Sequence, residues 1–231
     1  ATSGTTTVTG EKSATGFAMH NAGTFTHNNG TVTFNDNASH IGVNTFYNLI
    51  IECGSSSGYI QARAISGSTI TVANDFTIKE GRFNFETVGN TFTVTRNTLI
   101  ESGGVYSYGT GDTADPDRAT GAHNHGSLTI ASGGTFNATS GVTTITSEVS
   151  GTGFAMHNSG TFTHNDGTVT ITTGANTHIM ESNFYNLIIN ASGQSIFWRD
   201  STSNLVTVNN DLTITAGIFK RNTASDTLTV T

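Results

Sequence analysis

Cysteine, proline, tryptophan and charge are all scarce in this chain. One cysteine among 231 residues, Cys53, removes disulfides as a guide to compartment. Asp, Glu, Lys and Arg make up 11% of the residues, less than half of the roughly 25% usual in soluble domains, so the surface is made of hydroxyls and amides. With 9 basic against 16 acidic residues, a net charge of −7 and no Lys/Arg cluster, the electrostatic footprint of a nucleic-acid partner is missing. No apolar run approaches about 18 residues, which excludes a membrane-spanning helix, and no charged-then-apolar leader stands at Ala1. Nor does an apolar period of 3.6 persist for ten residues, so essentially no helix is predicted.

What the chain does have is repetition. It holds 44 threonines and 27 glycines, and Gly16 to Thr33 (GFAMHNAGTFTHNNGTVT) returns as Gly153 to Thr170 (GFAMHNSGTFTHNDGTVT). The offset is 153 − 16 = 137 residues. The copy extends both ways: ATSGTTTVTG at Ala1 matches ATSGVTTITS at Ala138, FYNLII at Phe46 recurs at Phe184, and TFTVT ending at Thr95 matches TLTVT ending at Thr231. We read residues 1–231 as one domain built by duplication, with 1–137 the first copy and 138–231 a shortened second. Self-similarity of this kind marks a stacked or arrayed architecture.

Apolar residues alternate with polar ones in short bursts, among them Val32 and Phe34, Leu49 and Ile51, Phe76 and Ile78, Val169 and Ile171, and Leu212 and Ile214. Period two over four or five residues is the signal of a half-buried strand. Between bursts stand Asn28-Asn29-Gly30, Ala73-Asn74-Asp75 and Asn209-Asn210-Asp211, residues that accept left-handed backbone and bend a chain tightly. Three strand-plus-turn units would make a coil of roughly 18 to 24 residues, the scale of a solenoid repeat. The expected fold is therefore all-β: a parallel β-helix or β-solenoid with short Asn/Gly turns and one longer loop, right-handed by the general rule for parallel crossovers. The competing arrangement is a hairpin array or sandwich, because Asn-Gly between alternating runs also encodes a two-residue antiparallel turn.

The runs NTFYNLII, VNNDLTITAGIF and GSLTIASGGTFNATSG resemble the strand-turn repeats of parallel β-helix segments in large microbial surface proteins, such as adhesin stalks and extracellular fibres. The resemblance covers nearly the whole chain as a periodic pattern and contains no diagnostic residue set. It implies a right-handed parallel β-helix with a structural or adhesive role at the cell surface or outside it, and no catalytic residues. Neither Ala1-Thr2-Ser3 nor Thr229-Val230-Thr231 reads as a polar cap, so continuation of the chain, or another copy stacked on the open edge, is expected.

One segment breaks the rhythm: Gly104 to Gly126, GVYSYGTGDTADPDRATGAHNHG, with the only proline, Pro116. It reads as a long loop, and such loops are usually functional or mobile. Asp112, Asp115, Asp117, His123 and His125 lie in it, oxygen ligands suited to Ca²⁺ beside a His-x-His pair suited to a transition metal. Their spacing matches no defined metal loop, and a solvated loop or subunit contact is the plainer alternative. His20, His27 and His40 recur as His157, His164 and His178, which assigns them to the structural unit as half-buried, hydrogen-bonded rings. Asn29, Asn37, Asn137 and Asn190 begin N-x-S/T sequons, acceptors for glycan in a secreted protein. Cys53 reads as a free structural thiol, since the copy has Ala191 there.

Three functions follow. The first is a structural, non-enzymatic segment of an extracellular filament that self-associates end to end. The second is an adhesin or phage-fibre module whose Gly104 to Gly126 loop and exposed Tyr106, Tyr108 and Trp198 engage a glycan or cell surface. The third, a polysaccharide-active enzyme, needs a paired acid and base, for which Asp117 beside Arg118 is the only basis.

Overall fold

The computed structural model describes residues 2–10, 16–21, 23–63, 68–86, 88–110, 113–114, 120–198 and 205–231. These residues form 24 strands and no helix. The strands wind into a three-sided parallel β-solenoid of about nine turns.

Strand pairing traces the three sides. On the first, Thr5–Val8, Thr31–Phe34, Asn48–Glu52 and residues 76–80 stack in parallel. The column continues through residues 98–100 and 127–130 to Phe154–Asn158, Thr177–Ile179, and residues 195–198 and 218–221. The second side carries Phe17–Met19, Ala38–Ile41, Tyr59–Ala62, residues 82–85, Gly104–Thr110, Thr135–Asn137 and Thr161–Thr163. Above these stand Ser182–Phe184, Leu205–Val208 and Thr227–Val230. The third runs from Thr45–Phe46 and Thr69–Val72 through residues 91–94 and 123–125 to Val142–Ile145, Thr168–Ile171, and residues 186–189 and 212–214. A turn takes from 48 − 31 = 17 residues to 123 − 92 = 31. At roughly 4.8 Å per turn the rod is on the order of 45 Å long.

Alternation explains the core. Inward positions of neighbouring strands share one register, so Val32, Leu49 and Phe76 stack on one side, and on another Phe92 stacks on Ile70 and Val94 on Val72, all buried. Outward positions are largely threonine: Thr71, Thr93, Thr144 and Thr170 stand on the third side, where a β-branched side chain suits the pleat.

The hairpin alternative fails for a local reason. Asn28 and Asn29 do take left-handed backbone, φ 47° and 56°, and Gly30 N donates to His27 O at 2.9 Å. Yet Thr31 N donates to Gly4 O at 2.9 Å and Asn48 N to Gly30 O at 3.3 Å. The strand after the turn is claimed by the coils below and above, so the tight turn makes a corner. Among the described residues the one antiparallel pair joins Gly104–Thr110 to Thr113–Ala114.

Corners are also tied between coils. Asn48 Nδ2 donates to Thr31 Oγ1 at 3.2 Å, Asn74 Nδ2 to Asn48 Oδ1 at 2.7 Å, Asn97 Nδ2 to Asp75 Oδ1 at 3.0 Å and Ser127 Oγ to Asn97 Oδ1 at 2.9 Å. The ladder crosses five coils. The second copy repeats its start: Asn186 Nδ2 donates to Thr168 Oγ1 at 3.3 Å and Asn210 Nδ2 to Asn186 Oδ1 at 2.7 Å.

Candidate functional site: a tyrosine and histidine cluster inside the solenoid

Where it is described, the segment expected to be a long loop is mostly strand. Gly104–Thr110 lies on the second side and His123–Ile130 spans the third and first. Tyr106-Ser107-Tyr108 and His123-Asn124-His125 are themselves period-two runs whose inward members are aromatic. Tyr106, Tyr108, His123 and His125 are at most 2% exposed. That corrects the expectation that Tyr106 and Tyr108 are exposed recognition rings: both are core. Asp112, Asp115 and Asp117, with Arg118, lie outside the described residues.

Three of the rings form one hydrogen-bonded group, and the fourth, His125, bonds separately to Thr98. His123 Nδ1 faces the hydroxyls of both Tyr106 and Tyr108, the latter at 3.1 Å. The Tyr108 hydroxyl also bonds the side chains of Thr139 and Tyr106. Thr139 Oγ1 donates to Gly121 O at 2.7 Å and accepts from Gly141 N at 3.0 Å. His125 Nδ1 pairs with Thr98 Oγ1 at 2.7 Å, while its Nε2 is buried without a partner. Around them pack Phe85, Phe92 and Phe136, with Phe136 stacked on Tyr106 at 4.5 Å. An apolar cage disfavours charge. Burial, with the neighbouring His125, pushes His123 down to about 3, and burial alone does the same to His125. Burial raises both tyrosines well above their usual range.

At neutral pH the cluster is uncharged, with its protons shared between hydroxyls and ring nitrogens. Its polar atoms face the solenoid interior and one another. Among the described residues, no three His, Cys, Asp or Glu side chains stand together as a metal-binding group. What the arrangement does is mechanical: Tyr106 and Tyr108 on the second side bond His123 on the third, and His125, two residues along that strand, bonds Thr98 on the first. A buried polar network is stabilising only when its members are satisfied, and here only His125 Nε2 is left over.

The recurring histidines behave as parts of the duplicated unit, although His20 is exposed rather than half-buried. His40 Nδ1 pairs with Gly16 O at 2.7 Å and His178 Nδ1 with Gly153 O at 3.2 Å. Phe17 contacts His20 at 5.0 Å and Phe154 contacts His157 at 4.9 Å. His27 stacks on Tyr47 at 5.6 Å as His164 packs on Tyr185 at 5.7 Å. Trp198 turns inward against Phe219, centroids 4.6 Å apart. Cys53 is buried, its thiol pushed up to about 11 by burial first, and Ala191 is equally buried in the copy.

Among the sequons, Asn29, Asn37 and Asn190 are exposed, whereas Asn137 is half-buried and donates to Ser107 Oγ at 3.4 Å. A cleft of about 200 Å³ opens beside Thr95, Arg96, Asn97, Ser147, Glu148 and Ser150. Arg96 there is engaged by Asn74 Oδ1 at 2.9 Å.

Fold and cluster together define the class: a three-sided parallel β-solenoid with an aromatic and imidazole staple in its core. Beyond that class the comparisons found nothing: no family model, no curated protein and no solved structure matches this chain.

Proposed function

We propose that the chain is a structural segment of an extracellular or cell-surface filament, a stiff rod whose task is length and whose extension proceeds by strand stacking. The observation that carries this reading is the repetition of contact. Successive coils are joined by parallel ladders that run along all three sides, and the 137-residue copy reuses the same turn geometry, with Asn165 and Asp166 at φ 46° and 56° where Asn28 and Asn29 stand. A coil added by the same chain, or by a second copy end to end, meets the edge it needs; a rotation that does not close gives a filament. The outward face adds to this, because threonines and sparse charge let rods lie side by side without strong repulsion. Surface ion pairs such as Lys79 to Glu52 at 3.2 Å tie adjacent coils, though each contributes at most about 1 kcal/mol.

Electron microscopy and fibre diffraction of the native protein test the reading. Uniform filaments with an axial reflection near 4.8 Å are expected. Discrete monomers at all concentrations, with specific retention on a glycan array, would replace it with the adhesive module.

A further inference from the structure

The duplicated unit and the coil of the solenoid do not share a period. Thr5–Val8 in the first copy corresponds to Val142–Ile145 in the second (142 − 5 = 137), yet the two strands stand on different sides. Thr5–Val8 begins the first side, which reaches residues 127–130 after five turns. Two further sides, Thr135–Asn137 and then Val142–Ile145, complete the unit. The unit therefore spans 3 × 5 + 2 = 17 sides, five and two-thirds turns.

Every corresponding pair shows the same shift. Thr31–Phe34 stands on the first side and its counterpart Thr168–Ile171 on the third. Phe17–Met19 is on the second side and Phe154–Asn158 on the first. Thr69–Val72 is on the third and Leu205–Val208 on the second. Local contacts survive the change: Gly30 and Gly167 meet the carbonyls of Thr2 and Thr139, again 137 apart. Corner contacts are carried round too, so His27 on Tyr47 and His164 on Tyr185 occupy different edges of the prism.

We infer that the 137-residue unit is a screw element: each unit turns the chain's surface by one third about the rod axis while advancing it by roughly 27 Å, five and two-thirds turns at about 4.8 Å. A patch present in every unit winds around the rod and returns to one face after three units. Two units already offer the His-Tyr edge in two directions, so a second rod recognising that edge is met in more than one plane, and side-by-side association builds bundles rather than flat ribbons. This last consequence rests on the filament reading; the screw relation itself does not.

Disulfide trapping separates the two. In a Cys53→Ala background, Thr129→Cys with His157→Cys, and separately Asn124→Cys with Thr144→Cys, are expected to crosslink on oxidation, since each pair is a side-by-side outward partner on adjacent strands and within disulfide reach. Thr129→Cys with Thr144→Cys stays reduced, because those residues belong to different sides. Efficient crosslinking of that third pair, with failure of the first, would overturn the screw. If the first two pairs close as expected, averaged filament images should show a rotation of one third of a turn and a rise near 27 Å per unit. Correct crosslinks without filaments would leave the screw standing and remove the filament reading.

Discussion

At the scale of single residues, the tight approach between coils decides which positions tolerate change. Gly167 follows the left-handed pair Asn165 and Asp166, and a methyl group on it would overlap the carbonyl of Thr139 in the coil beneath. Relief requires two hydrogen-bonded coils to part, the kind of overpacking that costs about 1–3 kcal/mol and sometimes more. Gly174, on an exposed bend with open space around it, is the control. Gly167→Ala is expected to lower the urea midpoint by a stability loss of roughly 2–3 kcal/mol, and Gly174→Ala to change stability by no more than about 0.5 kcal/mol. Equal effects in equilibrium melts would show that coil spacing is not what selects glycine at position 167. The Asn-Gly turn was legible in the sequence. Its use as a corner was not, because the deciding partners, Gly4 O and Thr139 O, belong to other coils.

At the scale of elements, the strands around the aromatic cluster show how a correct rule gives a wrong local reading. Period two identified Thr31–Phe34 and Thr168–Ile171, where the inward residues are Val, Phe and Ile. The same period runs through Tyr106-Ser107-Tyr108 and His123-Asn124-His125, but histidine counts as polar, so the second run looks like loop until Phe85 and Tyr108 are seen to wall it in. The two flanks of the Gly104 to Gly126 segment are thus strand. Burial makes the cluster pH-sensitive, and the sign is fixed. Both histidines have folded values near 3 against an ordinary 6.5, so between these limits the unfolded chain binds more protons. Stability is complete above about pH 6.5 and declines as pH falls toward 3, with a limiting slope of about 1.4 kcal/mol per pH unit for each histidine. Carboxylates titrate in the lower part of the same window, so the informative quantity is a difference. His125→Phe, which keeps a ring among Phe92, Tyr106 and Phe136, is expected to flatten the decline between pH 6 and 4 by about one histidine's share. Superimposable stability-pH curves for the two proteins would place the acid sensitivity elsewhere.

At the scale of the whole molecule, the duplication was visible from the sequence and the winding only in part. Alternation and turn spacing gave a parallel stack, whereas the number of sides per unit depended on where residues 76–85 and 91–100 bend to cover two sides each. A stack of this kind has a consequence that a globular core does not share. Each coil touches only the coils on either side, so stability approximates a sum of coil and interface contributions. Removing one complete turn should then leave every column in register. Residues 154–176 are such a turn: without them Ile179 takes the place of Met156 above Leu128, Leu187 that of Val169 above Thr143, and Phe184 follows Phe136 in the aromatic column that Phe162 now bridges. Deleting residues 161–176 removes two sides of three and delivers Thr177–Ile179 to the second side, out of phase with its partners. The 23-residue deletion (176 − 154 + 1) is expected to retain a β-rich circular dichroism spectrum and one cooperative urea transition, and the shorter one to lose cooperativity. Tolerance of both deletions would mean that the columns can slip, and intolerance of both that coils are not interchangeable units; a whole-turn deletion that folds while the smaller one fails is the outcome the parallel winding requires.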